Sequence, residues 1–135
     1  MNIIIDTNLW ISFLIGKKLS AMRTLFTNAK IKIFVCDELL NEFESVLSRM
    51  KIQKYIADKD LQDTYKWINN YCHYVLINKN AFSSLRDKKD LFILSLAETI
   101  SADYILTGDK DLLSLQYHCQ TKIVTYKEFS AIIEK

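Results

Sequence analysis

Asn2-Ile3-Ile4-Ile5-Asp6-Thr7-Asn8 at the start of the chain and Asp103-Tyr104-Ile105-Leu106-Thr107-Gly108-Asp109-Lys110-Asp111 near its end share one pattern. In each, a short aliphatic run stops at an acid and a helical pattern follows. A run that is apolar at successive positions is what a strand covered on both faces requires. An open parallel sheet binds its ligands outside the carboxyl ends of its strands, so Asp6 and Asp109 are placed to reach one crevice. Carboxylates brought together repel one another unless a cation lies between them, and Mg²⁺ or Mn²⁺ is the usual cation for such oxygen donors. The leading reading is therefore a metal-dependent reaction at phosphate.

The rest of the chain supplies the frame for these two segments. Strand patterns fall at Asn2–Ile5, Ile31–Val35, Tyr74–Ile77, Tyr104–Leu106 and Lys122–Val124, with helical patterns between them. Leu39, Phe43, Val46 and Met50 recur at the spacing of one helix stripe, as do Leu61, Tyr65, Ile68 and Cys72. Leu91 to Ile100 is apolar almost all round, which predicts a central, buried helix. Cys36 or Asp37 is placed to cap the helix of Glu42, and Asp87 the helix that begins near Lys89. Strands alternating with helices predict an α/β fold with a mostly parallel sheet of about five strands.

Composition narrows the class. The 135 residues contain no proline, only Gly16 and Gly108 as glycines, and no linker, repeat or low-complexity tract, so one domain over residues 1–135 is expected. No apolar run approaches the roughly 20 residues of a membrane span, and nothing resembles a signal peptide, so a soluble cytoplasmic protein is expected. Cys36, Cys72 and Cys119 are odd in number and widely spaced, without a CxxC pattern. His73 adjoins Cys72 and His118 adjoins Cys119, but neighbours in sequence rarely share one metal, so the thiols read as reduced core or surface residues. A net charge of +2 does not announce a nucleic-acid binder. Its distribution is more informative, because Lys88, Lys89 and Lys110 are interleaved with acids and suit an anionic substrate as well as they suit a solvated loop.

Four acids recur at the edges of these elements: Asp6, Glu42, Asp90 and Asp109. Each has an ordinary explanation. Asp6 and Asp109 could cap the helices that follow them, Glu42 could be an exposed helix acid, and Asp90 could answer the dipole of a helix N-terminus. All four at strand ends or helix starts is harder to explain that way. The order and spacing of the fragments around them resemble the PIN-domain family, in particular its compact bacterial toxins of the VapC-like group. Ile3-Ile4-Ile5-Asp6-Thr7-Asn8 resembles the family's opening strand. Leu39-Leu40-Asn41-Glu42-Phe43 resembles its helix with a single Glu. Asp87-Lys88-Lys89-Asp90 before Phe92-Ile93-Leu94 resembles its Asp-x-x-Asp helix start, and Ala102 to Leu113 is the nearest match of all. The chain departs from the pattern at Cys36, where the family often has Ser, and at Lys88, where it often has Pro.

The resemblance implies a three-layer α/β/α domain and a metal-dependent endoribonuclease that leaves a 5′-phosphate and a 3′-hydroxyl. It implies Asp6, Asp90 and Asp109 as direct ligands of Mg²⁺ or Mn²⁺, with Glu42 completing the pocket or positioning water. Asp111 is a candidate to assist a second ion, and Thr7, Asn8 and Thr107 to steady the ligands. Glu38 shares a helix face with Glu42, and spacing alone does not choose between them. An RNA substrate, a small antitoxin partner and a homodimer also follow from the resemblance. Two other classes fit less well. An inactive PIN-like module that only binds RNA or protein would not need all four acids. An aspartate-based phosphotransfer domain of the phosphatase type wants an Asp where Asn8 stands.

Overall fold

The computed structural model describes residues 1–49, 55–77 and 88–134, with the side chains of 49 and 88–91 outside that description. Met50 and Asp87, the ends of two expected helix signals, therefore lie outside the described residues. The element order is β1 (Asn2–Ile5), α1 (Thr7–Ile15), α2 (Leu19–Thr27), β2 (Lys32–Val35), α3 (Asp37–Arg49), α4 (Asp58–Tyr71), β3 (Cys72–Tyr74), α5 (Lys88–Ile100), β4 (Tyr104–Leu106), α6 (Lys110–Leu115), β5 (Tyr117–His118), β6 (Thr121–Val124) and α7 (Tyr126–Ile133). The strands form one sheet in the order β3-β2-β1-β4-β6-β5, parallel except for the β5–β6 pair. Helices cover the sheet in a three-layer α/β/α arrangement. Among the described residues no helix is long and apolar enough to cross a membrane.

The strand order explains why β1 is apolar on both faces from Ile3 to Ile5. It is central, and Ile3, Ile4 and Ile5 are all buried. Around it the large side chains interlock. Trp10 of α1 meets Phe43 of α3 edge-on at 5.3 Å between ring centres, and Tyr65 of α4 meets Phe43 at 5.9 Å. Trp67 packs at 6.1 Å on Phe26. The aromatics of α4 thus serve mainly to pack the helix layer, whereas Tyr71 is exposed. The helix α5 is buried along Ile93, Leu94, Ser95, Leu96 and Ala97, as its apolar run predicts.

Two expectations need correction. The third strand is Cys72–Tyr74, not Tyr74–Ile77, because the chain becomes extended at Cys72 (φ −85°, ψ 147°) and Cys72 pairs with Ile33. Cys72 therefore ends the α4 stripe as a strand residue. The sheet also has six strands, since Tyr117–His118 folds back antiparallel on β6. A two-residue strand has no periodicity, and the Cys119-Gln120 turn lacks the Asn-Gly or Asp-Gly signature of hairpins. Of the two candidate caps of α3, Cys36 and Asp37, the cap falls to Cys36. Asp37 is already the first helical residue, the Cys36 carbonyl accepts from the Leu40 N–H at 3.1 Å, and the thiol lies beside the backbone N–H groups of Leu39 and Glu38. The thiol stands where a Ser hydroxyl would do the same task, and burial pushes its pKa up to about 11.

Beyond β6 the chain turns into α7 through a capping box. Thr125 Oγ1 accepts from the Glu128 N–H at 3.1 Å, and the Glu128 carboxylate accepts from the Thr125 N–H at 3.1 Å. Thr125→Ala is expected to cost about 1 kcal/mol, read as a lower urea midpoint at unchanged slope. The bonds from Thr125 hold the Glu128 carboxyl below its usual range, so its stabilisation is present above the unfolded pKa. That contribution disappears as pH falls through the lowered folded value, and the gap between the variant and the parent narrows in acid.

Candidate acidic crevice

The chain leaves β1 and fills β2 and β3 on one side, then returns to fill β4 and β6 on the other. The change of direction lies between β1 and β4, and an open sheet presents its crevice outside the carboxyl ends at such a point. The register fixes what meets there. Ile5 is paired with Leu106, and the Asp6 N–H donates to the Leu106 carbonyl at 2.9 Å. The next residues, Asp6 and Thr107, are thereby brought side by side. Thr107 Oγ1 donates to Asp6 Oδ2 at 2.7 Å and accepts from the Asp109 N–H at 3.0 Å. One buried hydroxyl thus ties the two acid-bearing loops together.

Both acids also have the ordinary role that the sequence allows them. Asp6 caps α1, accepting from the Asn8 N–H at 3.5 Å, and Asp109 caps α6, accepting from the Asp111 N–H at 2.8 Å. Capping uses one oxygen of each carboxylate and holds its orientation. Burial is the main reason the Asp6 carboxyl is raised above its usual range, and the charge of Asp109 raises it further. The bonds from Thr107 and Asn8 act in the opposite direction. A buried carboxylate facing a second acid is a place where a cation would be bound favourably. The hydroxyl of Thr7, fully buried, has no hydrogen-bond partner among the described residues.

Asn8, Leu9, Ser12, Gly108 and Asp109 line a cavity of about 270 Å³ here. A Cβ placed on Gly108 would meet nothing within 4 Å, so the open space beside it is not needed by the fold. Ser12 escaped the sequence reading, although it lies four residues after Asn8 and so shares its helix face.

The remaining candidates are less tightly gathered. Glu42 is half-buried in α3, on the helix that packs against α1 through Phe43 and Trp10. Asp6, Glu42 and Asp109 do not bring three ligand atoms within 4.8 Å of one another among the described residues. Asp90 stands in the first turn of α5, and its side chain, like those of Lys88 and Lys89, lies outside the described residues. Asp111 and Lys110 are exposed at the start of α6, and the contact Asp111 makes with Asp109 is through its backbone. Glu38 has one buried carboxylate oxygen without a hydrogen-bond partner among the described residues.

The fold has a counterpart among solved structures. The crystal structure of VapBC2 from Rickettsia felis, bound to a DNA fragment from their promoter, contains a chain that superposes with a TM-score of 0.56. The superposition covers 91% of this chain and 97% of that one at 14% sequence identity, a likeness of fold. No curated protein matches the sequence. The profile described as PIN domain matches residues 2–111, a span that takes in Asp6, Glu42, Asp90, Asp109 and Asp111. With most of its length, and both acid-bearing loops of the crevice, inside that match, the chain belongs to the PIN-domain family.

Proposed function

We propose that this chain is a metal-dependent endoribonuclease and the toxin of a toxin–antitoxin pair. The observation that carries the reading is the convergence of Asp6 and Asp109 on one crevice, locked by the Thr107 hydroxyl at 2.7 and 3.0 Å. The donor set is all oxygen, which suits Mg²⁺ or Mn²⁺ rather than a thiophilic ion. Asp6, Asp90 and Asp109 are the proposed ligands, Glu42 completes the pocket or positions water, and Asp111 assists a second ion. Held by these carboxylates, a divalent ion would supply Lewis-acid chemistry at the scissile phosphate and an activated water, so the chain would need no side-chain nucleophile.

The chain's own part is to orient and to hold charge. Thr107 keeps the Asp6 carboxylate fixed, with Thr7 and Asn8 as further supports, and the two helix caps keep Asp6 and Asp109 from rotating away. Lys88, Lys89 and the exposed Lys110 are the proposed contacts for the RNA backbone. His73 lies on β3 and His118 on β5, at neither acid-bearing loop, in keeping with chemistry that does not use histidine. The likeness to a VapBC chain supports an antitoxin partner, and a homodimer is part of the same proposal.

Purified protein incubated with total cellular RNA in Mn²⁺, Mg²⁺ or EDTA tests the reading. Cleavage in either metal and none in EDTA, with 5′-phosphate ends on the fragments, is expected. Metal binding without cleavage of any RNA supplied would instead favour the inactive binding module.

A further inference from the structure

At the opposite end of the sheet, the β5–β6 turn faces the C-terminal part of α5. Thr121 opens β6, which runs parallel to β4 and β1, so the turn before it lies at the amino ends of these strands, away from Asp6 and Asp109. Here His118 Nε2 lies 2.8 Å from Glu98 Oε2, and Cys119 Sγ lies 3.7 Å from the same oxygen. One ligand atom from each residue falls within 4.8 Å of the others. We propose that Glu98, His118 and Cys119 form a second metal site, for a thiophilic divalent ion of the Zn²⁺ type.

The geometry is close to what such an ion needs. Tetrahedral Zn²⁺ with ordinary bond lengths to sulfur, nitrogen and oxygen separates its ligand atoms by roughly 3.3–3.5 Å. The sulfur–oxygen pair, at 3.7 Å, is already near that spacing, and the imidazole, at 2.8 Å, has to withdraw from the carboxylate by about half an ångström. The mixed sulfur, nitrogen and oxygen set selects Zn²⁺ over Mg²⁺, the reverse of the preference at the acidic crevice. Three protein ligands leave a fourth position for water, and Glu98 and Cys119 are exposed, so the ion has a path in.

Adjacent residues in a strand point to opposite faces, which argues against a shared ion for His118 and Cys119. The turn removes the objection. Cys119 has a φ of 55°, in the left-handed region that favours glycine, and this bend brings its sulfur back to the carboxylate that His118 also reaches. A bound ion would staple the hairpin to α5 and stabilise the fold by mass action.

The test is Zn²⁺ titration of the full chain against a chromophoric chelator, in a non-thiol reductant, with Co²⁺ as a spectroscopic substitute. One tight Zn²⁺ per chain is expected, together with a thiolate-to-cobalt charge-transfer band. Cys119→Gly should lose the band and weaken Zn²⁺ binding at least tenfold, and His118→Gln should weaken binding similarly. Glycine suits the positive φ, so a Cys119→Gly protein that melts as late as the parent in EDTA excludes misfolding as the cause. Asp6→Asn should leave both readouts unchanged. Zn²⁺ affinity that survives Cys119→Gly, or that is lost in Asp6→Asn, would overturn the proposal.

Discussion

If the chain is the proposed ribonuclease, Asp6→Asn is expected to cut RNA on the order of 10³-fold more slowly than the parent, the scale of losing charge stabilisation at a phosphoryl centre, and yet to melt later in EDTA. The two effects have one origin. Asp6 is 7% exposed and faces Asp109, so its ionised form is expensive to bury and its folded pKa is raised. Between the unfolded and folded pKa values the native state binds more protons than the unfolded chain, and stability falls as pH rises. Above the folded value the full cost of the buried charge is carried. Asparagine removes the charge and keeps one oxygen for the α1 cap, while its amide NH2, in place of Oδ2, donates to the Thr107 hydroxyl oxygen instead of accepting from it. The expected gain is about 0.5–2 kcal/mol, typical of relieving a functional site of its burden. Melting curves in EDTA at neutral and acidic pH measure it, and the advantage should shrink in acid as the parent's Asp6 takes up a proton. With Mn²⁺ added, the parent should gain melting temperature and the variant should gain much less. A variant that melts earlier than the parent in EDTA at neutral pH would count against the buried charge.

Thr107→Val is expected to lose both stability and activity, and Thr107→Ser to recover most of each. The hydroxyl is 1% exposed and makes two bonds, one to the Asp6 carboxylate and one from the Asp109 N–H. Valine preserves the shape and removes both, leaving a buried carboxylate and an amide without their partner. Leaving such groups unsatisfied costs about 1–3 kcal/mol. Among the influences that keep the Asp6 pKa from rising, the Thr107 bond is the largest, so the variant should bind Mn²⁺ with a stronger dependence on pH. Loss of a group that orients a metal ligand usually costs 10–100-fold in metal affinity or activity. Mn²⁺ titration of the three proteins across pH separates this from simple loosening of the fold, which would weaken binding equally at every pH.

The two loops of the crevice were legible because each carries a local signal. A buried parallel strand must be apolar at successive positions, as Ile3, Ile4 and Ile5 are, and the acid that ends it must then face the open end of the sheet. Other features depend on tertiary contact and leave no such mark. Cys72 fits the α4 stripe and becomes a strand residue because β2 offers Ile33 as a partner. The pair Tyr117–His118 is a strand only because β6 lies beside it. The choice of Cys36 over Asp37 as the cap of α3 depends on where the helix begins, which the sequence left open between the two. The meeting of Glu98 with His118 and Cys119 joins residues 20 and 21 positions apart across a turn without a turn signature. Conversely, the choice of Glu42 over Glu38 rests on family resemblance, since helical spacing puts both on one face.

The central claim is that the β1–β4 crevice gathers its carboxylates around a divalent ion. Crystals of the full chain soaked in Mn²⁺, with an anomalous difference map, test it without relying on activity or on knowing the RNA. The account predicts an ion at ligand distance from Asp6 and Asp109, with Asp90 drawn to it. A map that shows no ion in the crevice while Asp6 and Asp109 stand open to solvent would contradict it.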